Sequence, residues 1–309
     1  MCGFVNSRRV LVLTGPTSAG KTAIACSLHQ SNEIFTVINA DSKQVYKEVP
    51  VLTSQAPADS GLLYGYLSVF SSCRASVFEW MRDCADSLET VWMEGKIPLV
   101  VGGTPMYIYS LIHGVNLLPS LPPSLLRDLS LEYDRLGSSS FLSSFVAGFN
   151  LDISLFPSDK YKLVRDVAYL VHTGKTIQQL YDGSTIFRVP YSSIEVVSVI
   201  PESREVLYSR INERFVEALD SGAMDEVKAL IQDEEIYKNP AVTTICGFRE
   251  IASYLRSEIS FEQMVSKSQQ SIRHYAKRQL TWFRNKFSGM KVFGDSEGVR
   301  DYILRKYCA

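Results

Sequence analysis

The chain has 309 residues, 46% of them hydrophobic, six cysteines and a formal net charge of −1. That length can bury a full core as one large domain with an insertion, or as two domains, and no run of about 18 apolar residues offers a membrane span. The overall charge argues against a nucleic-acid partner, and Cys2, Cys26, Cys73, Cys84, Cys246 and Cys308 contain no C-x-x-C pair, so reduced thiols are expected and neither a zinc site nor a disulfide framework.

Val10 to Thr14 (VLVLT) is an apolar, β-branched strand candidate, and the opening runs into it without a signal-like segment, which sets a cytoplasmic expectation. Directly after it comes Gly15-Pro16-Thr17-Ser18-Ala19-Gly20-Lys21-Thr22, a Gly-x-x-x-x-Gly-Lys-Thr loop, and then Ile24, Ala25 and Leu28 at helical spacing. Strand, loop and helix start together predict backbone N–H groups and Lys21 converging on a phosphate. The second strand candidate, Phe35 to Asn39, ends in NADSKQVY. Ligands of open parallel sheets bind beyond the carboxyl ends of strands, so Asp41, Ser42 and Gln44 should lie beside the loop. Asp41 can be read there as a general base, a magnesium ligand or a helix cap.

Val77 to Gly95 reads as a helix with Phe78, Met81, Ala85, Leu88 and Trp92 on its inner stripe, followed by a strand at Ile97 to Val101. That strand ends Gly102-Gly103-Thr104, where a triphosphate hydrolase usually places a carboxylate. The glycines allow close approach to a ligand, and Thr104 either donates to an anionic oxygen or caps the next helix. From Pro119 to about Pro190 the texture becomes helical and interrupted (LGSSSF), with no strand predicted, before a strand resumes at Ile194 to Ile200. Long helices then follow, with a break at Gly222. The fold expected is α/β: a P-loop-type parallel sheet flanked by helices, with residues 1–119 and 191–309 as core, 120–190 as a helical insertion, and a helical, basic C-terminal region.

The basic region is local. Between Gln263 and Gly294 there is no acid, whereas Lys267, Arg273, Lys277, Arg278, Arg284, Lys286 and Lys291 give +7, leaving −8 for the remainder. On a helix, Ile272, Ala276, Leu280, Phe283 and Phe287 form an apolar stripe, and Arg273, Lys277 and Arg284 run beside it, which suits a phosphate backbone.

With these pieces in view, the chain resembles the tRNA dimethylallyltransferases, or tRNA isopentenyltransferases. The resemblance rests on GPTSAGKT, DSKQVY, VGGTPMY and RHYAKRQLTWFR, with LYSRINERF (Leu207 to Phe215) and CGFREI (Cys246 to Ile251) in the family's order. It departs from the family at Leu52-Thr53-Ser54-Gln55-Ala56, where a lysine is lost, at Gly65-Tyr66, in place of a His-His pair, and at Arg165-Asp166-Val167-Ala168.

The resemblance implies transfer of a dimethylallyl group from dimethylallyl diphosphate to N6 of the adenosine just 3′ of the anticodon (position 37). Residues 15–22 and Mg2+, held by Thr22, would stabilise the leaving diphosphate, with Lys21 and Thr104 assisting and Asp41 taking the N6 proton. The adenosine would be flipped into a channel between core and insertion. Asp41, Ser42, Lys43, Gln44 and Thr104 would meet the tRNA anticodon loop, and Arg127, Lys162, Arg165, Arg273, Lys277, Arg278 and Arg284 its backbone. No membrane partner is implied, and a monomer is expected. The rival readings are a P-loop kinase of a metabolite or nucleotide, an adenylate isopentenyltransferase acting on free AMP or ATP, and a non-enzymatic RNA binder. The acid-free basic stretch speaks against both small-substrate rivals, and the diphosphate loop against a bare binder.

Overall fold

Apolar runs too short for helices become strands, the central ones buried on both faces. β1 (Arg9–Thr14) lies at the centre of a five-stranded parallel sheet, order β2-β3-β1-β6-β7, with β2 Phe35–Asn39, β3 Ile97–Gly102, β6 Ser193–Val199 and β7 Lys291–Phe293. The computed structural model describes residues 8–71, 76–149, 151–287 and 289–308; Cys2 and Cys73 lie outside them. The four described cysteines, Cys26, Cys84, Cys246 and Cys308, are free thiols. β1 pairs with β3 through Leu11↔Leu99 and with β6 through Leu11↔Glu195. The strand that feeds the phosphate loop therefore has a neighbour on each side, one from each half of the chain.

Alternation along the strands divides the side chains between two faces. Leu11, Leu13, Val37, Leu99, Val101 and Val197 pack with Ile24 and Leu28 of α1 (Lys21–Ser31) and with Val299 and Ile303 of α13 (Ser296–Tyr307). Against the sheet also lies α2 (Val77–Met93), started by a Ser76/Glu79 capping box, and next to it α3 (Pro105–His113). The predicted α2 stripe is partly corrected. Phe78 is 41% exposed and Ala85 half-buried, while Trp80, Met81, Cys84, Leu88 and Trp92 are buried. The two indole rings turn the helix, because Trp80 Nε1 donates to the Asn39 carbonyl at 2.9 Å and Trp92 Nε1 to the Arg9 carbonyl at 3.0 Å.

Residues Val115–Phe187 form a second compact unit, the remainder of the chain the first. The second unit is mainly helical, as expected, with one strand pair that the sequence does not signal. Its ends pair as a two-residue ribbon, β4 (Val115–Asn116) with β5 (Ile186–Phe187), too short to leave a periodic signal. Inside it α4 (Pro123–Val146) bends at Gly137, φ 74°, within LGSSSF, and packs Phe141 and Val146 on Leu163 and Val167 of α5 (Lys160–Thr173), which a short α6 (Ile177–Asp182) follows.

After β6, α7 (Arg204–Asp220) and α8 (Ala223–Leu230) are separated at Gly222, φ 108°, where a left-handed turn requires glycine. The chain continues through α9 (Glu234–Lys238), α10 (Pro240–Thr243), α11 (Phe248–Leu255) and α12 (Phe261–Lys286). On α12, Ile272, Ala276, Phe283 and, at its end, Phe287 are buried as predicted, but Leu280 is only half-buried. The acid-free stretch also contains β7, which the sequence pattern marks as helical; three residues, KVF, complete the sheet by pairing with β6. Among the described residues no helix is long and apolar enough to cross a membrane.

Candidate functional site

The carboxyl ends of β1, β2 and β3 meet at one edge of the sheet, and the loop after β1 turns there. Gly15, φ 146°, sits so close to β6 that a Cβ would lie 2.2 Å from the Val199 carbonyl oxygen, so only glycine lets the loop start its turn against that strand. Thr14 Oγ1 donates to the Gly102 carbonyl at 3.0 Å and ties the ends of β1 and β3 together. The loop runs into α1 with Gly20 at the N-cap, no side-chain cap bond and no acid in the first turn, so the helix start faces the site with its N–H groups unclaimed by side chains.

A cavity of about 360 Å³ opens over this loop, lined by Thr17, Ser18, Gly20, Lys21 and Thr22, by Asp41 and Gln44, and by Arg210, Glu213, Arg214 and Glu217 of α7. Lys21 Nζ donates to the Pro16 carbonyl at 2.7 Å. Burial lowers its ammonium to about 8; the Asp41 carboxylate opposes that shift and the Arg214 cation adds to it. Ser18, at φ 61°, has a buried hydroxyl with no hydrogen-bond partner among the described residues. A buried hydroxyl left unpaired at a helix N-terminus, with two cations nearby, fits an anion held by the loop.

Asp41 is set from below. The buried Asn39 side chain accepts the Asp41 N–H at 2.9 Å and donates to the Asp41 and Leu63 carbonyls, each at 3.1 Å. Asp41 Oδ1 accepts the Lys43 N–H at 2.9 Å, which leaves Oδ2 for a ligand. The Thr104 side chain makes no helix-cap bond, so the alternative of a simple cap does not describe it. Its hydroxyl instead accepts the Ser42 N–H at 2.9 Å and donates to Ser42 Oγ at 3.2 Å.

Other predicted residues are more constrained than the sequence suggested. The Gln44 amide donates to the Thr53 and Ser54 carbonyls at 3.1 and 3.0 Å, folding the 41–55 loop, and is not free to donate to RNA. Lys43 Nζ donates to Thr244 Oγ1 at 2.5 Å, and burial lowers its ammonium. Arg273 is bound to Asn212 Oδ1 at 2.8 Å and lies over the Tyr208 ring. Lys277 and Arg284 are exposed beside Arg204 and Tyr208, whereas Arg278 lies over Tyr275. Lys291 is drawn to Glu195 at 3.4 Å. Arg127, Lys162 and Arg165 belong to the 115–187 unit, where Arg127 pairs with Asp128 at 3.4 Å and Arg165 with Asp166 at 3.1 Å. Those two ion pairs reduce the charge either arginine offers to a phosphate.

Two residues of the site carry no local signal in the sequence. Arg214 reaches Thr17 Oγ1 at 2.6 Å across 197 positions, its guanidinium depressed by burial. Gln279, 1% exposed, touches Thr17 and Gly103. Arg214 lies in NERF and Gln279 in KRQLTW, two stretches that carry the resemblance, but only the fold brings them to the loop.

A glycine-started loop between a central parallel strand and a helix gives this α/β protein a P-loop-type core. A profile of the IPP transferase family matches residues 44–286. A tRNA dimethylallyltransferase of Neorickettsia sennetsu is 61% identical over 300 residues, covering 97% of this chain and 98% of the relative. One of Ehrlichia ruminantium is 32% identical, with 96% and 99% covered. The crystal structure of a tRNA isopentenylpyrophosphate transferase of Bacillus halodurans shares the fold at TM-score 0.68 and 24% identity, covering 97% of this chain and 96% of that one. The chain belongs to the IPP transferase family.

Proposed function

We propose that this chain is a tRNA dimethylallyltransferase, which moves the five-carbon allylic group of dimethylallyl diphosphate onto N6 of the tRNA adenosine 3′-adjacent to the anticodon, position 37. The observation that carries this reading is the pairing, in one cavity, of a loop carrying Lys21 with a carboxylate whose second oxygen accepts no hydrogen bond among the described residues. A bond forms between N6 and the allylic carbon while the carbon–oxygen bond to diphosphate breaks. The electron pair leaves on the bridging oxygen and the N6 proton passes to Asp41. The amine is a poor nucleophile because its lone pair is delocalised into the ring, so leaving-group stabilisation and proton removal both matter.

Lys21, the start of α1 and Arg214 supply positive charge to the leaving diphosphate. Thr104 would donate a hydrogen bond to the bridging oxygen once substrate competes with Ser42. Mg2+ would neutralise part of the diphosphate charge, with the Thr22 hydroxyl as its protein ligand. β3 ends in glycines and a threonine, where a kinase would need a carboxylate for metal or water. The adenosine must leave its stack to reach Asp41, and exposed cations of α12 would hold the RNA backbone. A monomer acting in the cytoplasm is part of the same reading.

Single-turnover transfer from labelled dimethylallyl diphosphate to unmodified tRNA tests both reaction and base. Asp41→Asn is expected to lose about 10²- to 10⁴-fold in the transfer step while retaining diphosphate binding. Recovery of the parent rate at high magnesium would make Asp41 a metal ligand and remove it as the base.

A further inference from the structure

α12 presents cations outward, yet one position on its inward stripe holds an amide. Ile272, Ala276 and Phe283 surround the register at which Gln279 is buried. A buried amide among apolar side chains costs stability unless its polar atoms are satisfied, and a hydrocarbon of equal size would pack there more simply. Among the described residues Gln279 is satisfied by the loop after β1 and the end of β3: Oε1 accepts the Thr17 N–H at 2.9 Å, and Nε2 donates to the Gly103 carbonyl at 2.6 Å. Gly103 accommodates this contact, since a Cβ there would lie 2.5 Å from Gln279 Nε2, with the Gly15 carbonyl at 3.2 Å and Lys21 Nζ at 3.5 Å.

We infer that Gln279 is a positioning residue: its amide bridges the loop after β1 to the end of β3 and so sets the width of the diphosphate cradle. Thr17 is then fixed from two sides, its N–H by Gln279 and its Oγ1 by Arg214. Commitment of the Thr17 N–H leaves the anion to the N–H groups at the start of α1, beside Lys21. Both walls of the cradle, the loop at Thr17 and the end of β3 at Gly103, are thus anchored to the helix that carries Lys277 and Arg284 on its other side. RNA held on that helix is thereby held in fixed register with the leaving group.

The inference rests on the transferase reading, and its test has a readout that does not depend on transfer. Binding of inorganic diphosphate with Mg2+ to the full chain is measured by calorimetry, alongside KM for each substrate. Gln279→Met keeps the length and loses both hydrogen bonds; diphosphate affinity should fall about tenfold, with KM for dimethylallyl diphosphate rising in step, while tRNA affinity and melting temperature stay near the parent's. Gln279→Glu keeps the acceptor for Thr17 but can donate to Gly103 only when protonated, so its affinity relative to the parent should recover as pH falls. Met-variant affinity within about twofold of the parent's, or equal losses for both substrates, would reduce Gln279 to a packing residue. If Gln279→Met does not fold, a flat pH ratio for Gln279→Glu overturns the inference by itself. A parent that binds diphosphate but prenylates no tRNA would sink the transferase reading and leave this one standing.

Discussion

Lys21 enters the reaction already short of the strength with which it holds its proton in water. Burial brings it to about 8 from an ordinary 10.5, and a bound diphosphate must raise it again, because an anion favours the charged form. Diphosphate affinity should therefore be full below pH 8, fall as pH rises above 8, and be accompanied by proton uptake in that window. Titrations at pH 7 and pH 9 in two buffers of different ionisation enthalpy check this; equal affinities and no uptake would contradict it. Lys21→Ala should lose about 10- to 150-fold in diphosphate affinity, leave tRNA affinity nearly intact and abolish the pH dependence. The lysine was legible because the motif encodes its geometry within eight consecutive residues, 15–22. Arg214 and Gln279 were not, since their contacts with Thr17 span 197 and 262 positions and no local period marks them.

At the scale of elements, hydrophobic period located the strands and long helices but not how each helix turns on its axis or which charges remain free. α2 is turned by two indole hydrogen bonds that no apolar count includes, and Arg273, equivalent to Lys277 by spacing, is claimed by Asn212. The two family departures in the loop after β2 are also one structural event: a Cβ at Gly65 would lie 3.0 Å from Gln55 Oε1, and the Gln55 amide donates to the Gln44 carbonyl at 2.5 Å. For α12, Lys277 and Arg284 are the charges to reverse. Replacing both with Glu should weaken binding of any tRNA and flatten the slope of log affinity against log salt by about 0.7 to 0.9 for each phosphate that is no longer neutralised. An unchanged slope in a filter-binding series would leave that face merely solvated.

For the molecule as a whole, Glu195 on β6 fastens the last helix to the sheet. Its carboxylate accepts from Tyr302 at 2.5 Å, Tyr307 at 2.6 Å and Lys306 at 2.7 Å. Burial works against the charge, but the bonds from Lys306, Tyr302 and Tyr307 outweigh it and hold the carboxyl at about 2, below its ordinary 4.5. The folded-state value is depressed, so this contribution is present above pH 4.5 and lost as pH falls towards 2. Glu195→Gln should cost about 1–2 kcal/mol at neutral pH, the modest end applying because Lys306 is half exposed and screened. Denaturant melts at pH 7 and pH 3 should show the variant losing less on acidification than the parent; parallel losses would reject the assignment. The class of fold was legible from strand, loop and helix in succession, whereas β7 and the β4–β5 ribbon were not, being shorter than any period. The central place of β1 has a consequence for how the chain is made. Its second neighbour, β6, begins only at residue 193, so at about 5–20 residues per second the ribosome leaves one edge of β1 without its partner for roughly 10 to 35 seconds. In that interval residues 115–187 can bury their own core, and the nascent sheet has to be kept from pairing with its neighbours on the polysome until β6 emerges.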